Sequence, residues 1–241
     1  MIARMPIVAL TLRGLLDRKR TWLMLALAAV PVLLVALASG FGEAEIETED
    51  FDQLIVALVL PLIALVFGTA AMGAEIEEGT VVYLLAKPVR RVRIVTAKAL
   101  VASGLTAALI FPASVLTGLV ALLAGNEVVG AGVAYGLAAA IGGTAYCVLF
   151  LAISTFTSRS LAIGLAYVLL WEGILADLLE GTRLLSIRQG TLAVARELAG
   201  EPVPSGGVAF EQGVFILGAV IIGGIAIATW RMSRYQLRGG D

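Results

Sequence analysis

Residues 53–74 read QLIVALVLPLIALVFGTAAMGA, an apolar run with no charged side chain. A helix crossing the hydrocarbon of a bilayer needs about 20 mostly apolar residues, because roughly 30 Å must be covered at ~1.5 Å per residue. The run meets that requirement, and so do Trp22–Phe41, Ala99–Ala124, Val128–Phe156 and Gly213–Trp230, all equally free of charge. Leu161–Leu179 is long enough as well, although it carries Glu172 and Asp177. The pattern predicts an all-α polytopic membrane protein. It forms one transmembrane domain over 1–241, with six spans near 22–41, 53–74, 99–124, 128–156, 161–179 and 213–230.

Composition agrees. Of 241 residues, 60% are hydrophobic and 15% charged, and the mean hydropathy is +0.99. Soluble domains average roughly 45–50% apolar and about 25% charged, and a globule with this inventory would lack the polar cover its surface needs. The chain has no histidine and a single cysteine, Cys147. Histidine-based triads, imidazole metal sites and intrachain disulfides are therefore outside its chemistry, and neither a catalytic nor a metal site is expected. No basic stretch carries the interleaved aromatics of a nucleic-acid surface. The only lysines are Lys19, Lys87 and Lys98, and none ends a Gly-x-x-x-x-Gly-Lys-Ser/Thr phosphate loop. The chain itself is thus expected to bind no cofactor.

Charge placement orients the spans. With six of them, both termini share one side, which receives every basic residue except Arg183, Arg188 and Arg196. Of the acids, only Asp17, Glu75, Glu77, Glu78 and Asp241 fall there, while Glu43, Glu45, Glu47, Glu49, Asp50 and Asp52 cluster opposite. Both termini are therefore expected in the cytoplasm. Arg18-Lys19-Arg20 and Ala36-Leu37-Ala38 imitate the flanks of a signal peptide, but the run between them is of full spanning length and reads as a retained helix. Residues 1–20 place Val8, Leu12, Leu15 and Leu16 on one stripe, with Arg4, Arg13 and Arg20 off it. This predicts an amphipathic helix lying in the cytoplasmic interface. Pro31, Pro61 and Pro112 inside spans, and the four-residue spacings Ser114/Gly118 and Gly132/Gly136, read as helix-packing features.

The connection at 75–98 is the most informative one. It runs EIEEGTVVYLLAKPVRR over 75–91, with Arg93 and Lys98 following. Acids come first, then Val81, Leu84 and Leu85 at helical spacing, and Lys87-Pro88 closes the pattern. A short helix with acids at its start and a lysine at its end suits the helix dipole, and the residue before proline is biased away from helical angles. Three acids at a cytoplasmic span boundary are not accounted for by the positive-inside rule.

The series Glu75, Glu77, Glu78, Gly79, Thr80, Leu84, Leu85, Pro88, Arg91 and Lys98 resembles the first cytoplasmic loop of ABC type-2 exporter permeases, and the six-span plan is similar to that family along nearly the whole chain. The resemblance implies that Glu75–Ala86 is a coupling helix docked on a separate ATP-binding subunit. It also implies that ATP and Mg are bound by that partner, that a second permease copy, the same chain or a related one, completes the transporter, and that the protein sits in the plasma (inner) membrane of a prokaryote. The short connection near Gly125-Asn126-Glu127 departs from family members that carry an exterior domain there.

Two further features stand out. Glu172 falls about 16 Å along the fifth span at ~1.5 Å per residue, where a charged carboxylate costs about 2.5–3.5 kcal/mol on insertion scales. With Asp177 it reads either as part of a substrate pathway or as the sign of a helix break near Gly173. Residues 180–212 mix leucines with Arg183, Arg188, Arg196 and Glu197 and predict one or two short exterior amphipathic helices, followed by a loop at Glu201–Gly207 rich in breakers. The rival functions are a self-contained secondary transporter or channel, which would use Glu172 and Asp177 for proton coupling, and a membrane scaffold for assembling another complex. Residue patterning leaves the transported substrate open.

Overall fold

In the computed structural model, residues 11–12, 14–15, 18–40, 46–77, 90–126, 128–175, 180–204 and 206–234 are described. Among them every regular element is helical. Helix α1 is Arg18–Gly40. Helix α2 has three consecutive pieces, Thr48–Phe51, Asp52–Val59 and Leu60–Glu77. Helix α3 is Arg91–Leu123, α4 is Val129–Ser154, and α5 runs from Ser160–Ala166 into Tyr167–Leu175. A 3-10 turn at Glu180–Leu185 leads to α6, Ile187–Ala199, and α7 is Phe210–Ser233.

Among the described residues, five helices are long and apolar enough by themselves to cross a bilayer: α1, α2, α3, α4 and α7. Of the expected span 161–179, the described part is helical from Ser160 to Leu175, and its second half, Tyr167–Leu175, is wound as a wider π-helix. A π turn rises less per residue than an α turn and commonly accompanies functional irregularities. Asp177 lies outside the described residues. Helices α2, α3 and α7 extend past their expected limits, whereas α4 stays within them. Most notably, α3 begins at Arg91 and α2 continues to Glu77, so helix occupies both ends of the stretch expected as a 75–98 loop. In the N-terminal segment, positions 11, 12, 14 and 15 are helical, Leu15 is buried and Gly14 exposed. The rest of the expected stripe lies outside the described residues.

Helix α4 is the axis of the bundle, and close approach explains it. Ser114 and Gly118 of α3 interlock with Gly132 and Gly136 of α4. A Cβ added to Gly118 would meet the Gly132 Cα at 3.3 Å, one on Gly132 would meet the Ser114 carbonyl at 3.0 Å, and the Ser114 hydroxyl donates to the Gly132 carbonyl at 2.8 Å. These are the spacings read from sequence as packing features. On α2, Gly68 lies against α4 so closely that a Cβ would stand 2.8 Å from the Cys147 carbonyl and 2.9 Å from the Phe150 Cβ. Gly224 of α7 faces Val148 in the same manner, with 2.6 Å to its Cγ1. Small residues bring backbones together where lipid offers helices no hydrophobic incentive to associate.

Pro61 also has a structural partner. The preceding piece of α2, Asp52–Val59, is π-helical, and the Leu60 N–H donates to the Ile55 carbonyl five residues back. The wider ladder thus directly precedes the residue that has no N–H to give. Pro31 and Pro112 sit inside α1 and α3.

The Gly68 contact gives a direct test. Gly68→Val should lower stability by about 1–3 kcal/mol through overpacking, seen as a lower melting temperature in detergent. Gly104→Ala, where an added Cβ meets nothing within 4 Å, should leave melting unchanged or raise it slightly.

Candidate functional site

The bundle has two chemically distinct ends. At one, Arg20 of α1 shares a crevice with Gly73 of α2 and Ser158 of the α4–α5 turn. Arg231 of α7 stacks over Phe156 there, its Cζ 5.2 Å from the ring centroid. The start of α3 joins this basic end, since its Lys98 reaches Ala71 of α2. At the other end Ile46 donates its N–H to the Asn126 side chain at 3.3 Å. There the Tyr135 hydroxyl donates to Glu201 at 3.4 Å, and Asp52 pairs with Arg196. The first described residues of α1 and the last of α7 therefore lie at the same, basic end.

Within the basic end, Glu75 and Glu77 fall on the last turns of α2, and Arg91 opens α3 behind an extended Arg90. Glu78, Gly79, Thr80, Leu84, Leu85 and Pro88 lie outside the described residues. What the structure adds is how the two flanking helices are tied. Lys98, assigned by sequence to the connection, sits two turns inside α3 and is only 2% exposed. Its ammonium donates to the Ala71 carbonyl at 2.5 Å. A buried amine must be hydrogen-bonded to be tolerated, and this bond clasps α2 to α3 just inside the connection. The signal was present in the sequence as the only lysine embedded among apolar helical neighbours. Arg91 and Arg93 occupy the first turn of α3, which has no acid. Cations there oppose the helix dipole, so their placement reflects the side of the membrane rather than helix stability.

At the acidic end, α2 starts with a reciprocal cap in which the Glu47 N–H donates to Asp50 at 3.0 Å. Asp52, at the head of the π-helical piece, pairs with Arg196 of α6 at 2.5 Å, and both side chains are largely buried. Phe51 packs on the Tyr135 ring with centroids 5.7 Å apart. Helix α6, in the stretch expected to form short exterior amphipathic helices, inserts one face among the spans. Ile187, Gly190, Thr191, Leu192, Ala193, Val194 and Ala195 are all buried. The reason is again small residues. Gly190 faces Gly213 of α7, whose added Cβ would meet the Gly190 carbonyl at 2.8 Å and the Ala193 Cβ at 2.7 Å. Gly142 of α4 accommodates the Thr191 side chain.

Glu172 lies where α5 and α6 meet. It is 3% exposed and accepts three hydrogen bonds: from the Tyr167 hydroxyl at 2.9 Å, the Ser186 hydroxyl at 2.5 Å and the Ile187 N–H at 2.9 Å. Ser186 is also the N-cap of α6, accepting from the Gln189 N–H at 3.0 Å. One carboxylate thus closes the π-helical half of α5 onto the first turn of α6, satisfying a helix N–H that would otherwise be orphaned. Trp171 adds a weaker tie, donating to the Leu185 carbonyl at 3.4 Å. Among the described residues no three Cys, Asp or Glu side chains converge as metal ligands would. The geometry offers mechanical connections: a clasp at the basic end, an ion pair at the acidic end, and α2 running from one to the other.

Asp52, Arg196, Tyr135, Glu201 and Ser186 were not singled out by sequence. Arg196 is one of only three basic residues opposite the main positive charge, and Asp52 directly adjoins an apolar run. Arg196 was thus a charge outlier on its side, whereas Asp52 belonged to the acidic cluster.

A family model described as ABC-2 family transporter protein matches residues 5–183 of the chain. No curated protein matches it.

Two substitutions separate the ties. Glu172→Ala should cost about 1–3 kcal/mol for each buried donor left without an acceptor, whereas Glu172→Gln keeps an acceptor oxygen and should cost less. Asp52→Ala leaves Arg196 unpaired in a largely buried position and should destabilise by about 3–5 kcal/mol. Asp52→Ala with Arg196→Met should recover part of that loss. Thermal unfolding in detergent reads all four.

Proposed function

The chain belongs to the ABC-2 family of transporter proteins, and on that premise we propose that it is the permease of an ATP-driven exporter, worked through its 75–98 segment by a separate ATP-binding subunit. That it is a multi-pass membrane permease subunit follows from the family and from five spanning helices. The finer assignments are our reading. The basic end faces the cytoplasm, as the positive-inside rule favours. ATP and Mg are held by the partner, since this sequence contains no phosphate loop. A second permease copy completes the pathway, and the membrane is the plasma membrane of a prokaryote.

One observation supports the coupling: α2 and α3, the helices on either side of residues 78–89, are clasped together by the Lys98 ammonium on the Ala71 carbonyl. A push on that segment cannot be absorbed by loose flanking chain, because α2 and α3 begin at once on either side. Helix α2 then carries the displacement along its length, on the order of 35 Å at ~1.5 Å per residue. Its far end holds Asp52, bonded to Arg196 of α6. The π-helical piece and Pro61 are the compliant part of this lever, and α4, clamped by glycines, is its fixed support. Helix α6 is itself fastened to α5 through Glu172, so motion reaching Arg196 is passed to both. Glu172 and Asp177 belong to this reading as residues beside the route by which substrate leaves; Glu172 acts there by holding α5 on α6.

Docking predicts that reversing charge with Glu77→Lys and Glu78→Lys weakens co-purification with the ATP-binding subunit roughly tenfold or more, as like charges meet at the interface. Unchanged association would remove the segment as the docking site. In liposomes, transport should require both the ATPase and ATP. Transport by this chain alone would instead identify a secondary transporter or channel, and an intact complex with no transport at all would point to a scaffold.

A further inference from the structure

At the basic end a crevice of about 160 Å³ opens between α1, α2 and the turn leading into α5. Its polar lining is Arg20, Thr69, Ser158 and Ser160, and its apolar wall includes Val66 and Leu161. No carboxylate of a described residue lines it. The Thr69 hydroxyl is committed to the Leu65 carbonyl at 2.7 Å, which leaves the Arg20 guanidinium and the two serine hydroxyls as the donors that face an occupant. No hydrogen bond or ion pair to another described residue engages Arg20. Guanidinium and hydroxyl donors select an anion, and a planar guanidinium suits phosphate oxygens in particular.

The depth of the crevice narrows the source of that anion. Trp22, two residues beyond Arg20 on α1, is 67% exposed on the outside of the bundle, and tryptophan is enriched where headgroups meet hydrocarbon. Leu161, 52% exposed at the crevice edge, and Val66 then extend the wall towards the apolar slab. A free phosphate would have no use for that wall, whereas a lipid has both a charged head and a chain to lay along it.

We propose that this crevice binds the phosphodiester headgroup of an anionic phospholipid from the leaflet at the basic end, with the guanidinium of Arg20 on the phosphate and the first methylenes of the lipid against Val66 and Leu161. The inference rests on the chain spanning a membrane and is independent of any motor subunit.

Native mass spectrometry of the purified full chain, offered phosphatidylglycerol or phosphatidylcholine, tests it. Phosphatidylglycerol should be retained in preference. Arg20→Gln should reduce its retention about fivefold, the weight of one basic residue near an anionic surface, and Ala70→Leu, which fills the crevice without touching the charge, should reduce it as well. Lys19→Gln removes an exposed neighbouring cation outside the crevice and should leave retention unchanged. Equal losses for Lys19→Gln and Arg20→Gln would overturn the site in favour of diffuse surface attraction. Displacement of the lipid by millimolar inorganic phosphate would overturn it in favour of a free-anion site. Wild-type retention by Ala70→Leu, with melting unchanged, would overturn it outright.

Discussion

Hydrocarbon solvates a leucine as well as another leucine does, so helices in a bilayer are held by how closely their backbones approach. In this chain that constraint converges on α4. Gly118 and Gly132 bring α3 onto it, Gly68 brings α2, Gly224 brings α7, Gly142 admits α6, and Gly164 lays α5 on Phe150, where an added Cβ would stand 3.0 Å from the ring. No comparable set of close approaches fixes α1, which turns Trp22, Leu23, Leu33 and Leu37 outwards. The central helix is therefore the rigid reference, and the elements able to move against it are those whose contacts are fewer or whose winding is irregular.

Both irregular windings carry an ionisable side chain that reaches across to α6. Asp52 heads the π-helical piece of α2 and finds Arg196; Glu172 sits in the π-helical half of α5 and finds Ser186 and Ile187. Helix α6 is held at its first turn by one carboxylate and in its last by the other. Such polar contacts inside an apolar body are expensive to leave unmet and specific about geometry once met, so they position a short helix that packing alone would locate less sharply. The left-handed Gly200, at φ 73°, ends α6 directly after Ala199 and turns the chain so that Glu201 reaches Tyr135.

Much of this was legible from hydropathy. Long uncharged runs set α1, α2, α3, α4 and α7, because a spanning helix has little freedom in length or composition. The four-residue spacings of Ser114/Gly118 and Gly132/Gly136 pointed at the α3–α4 contact before any partner was known. Less legible was what depends on tertiary partners. The length of Leu161–Leu179 suggested a span, yet nothing local in YVLLWEGIL announces the π winding that begins at Tyr167. The mixed polarity of 187–199 suited a surface helix, because its small buried positions, Gly190 and Ala193, look unremarkable until Gly213 is set against them. Lys98 was placed in a connection by its charge, whereas the Ala71 carbonyl that accepts its hydrogen bond becomes visible only when two helices are laid side by side.

Cys147 offers a last, practical consequence. It is the chain's one thiol, wholly buried on α4, 3.2 Å from the Thr106 hydroxyl and facing the Ala64 carbonyl. Thiolate reagents need exposure to react, so maleimide will pass the native fold by. Spin labels or fluorophores can then be written onto introduced cysteines at either end without first erasing a native one, and late labelling of Cys147 itself becomes a clock for the opening of the α2–α3–α4 junction.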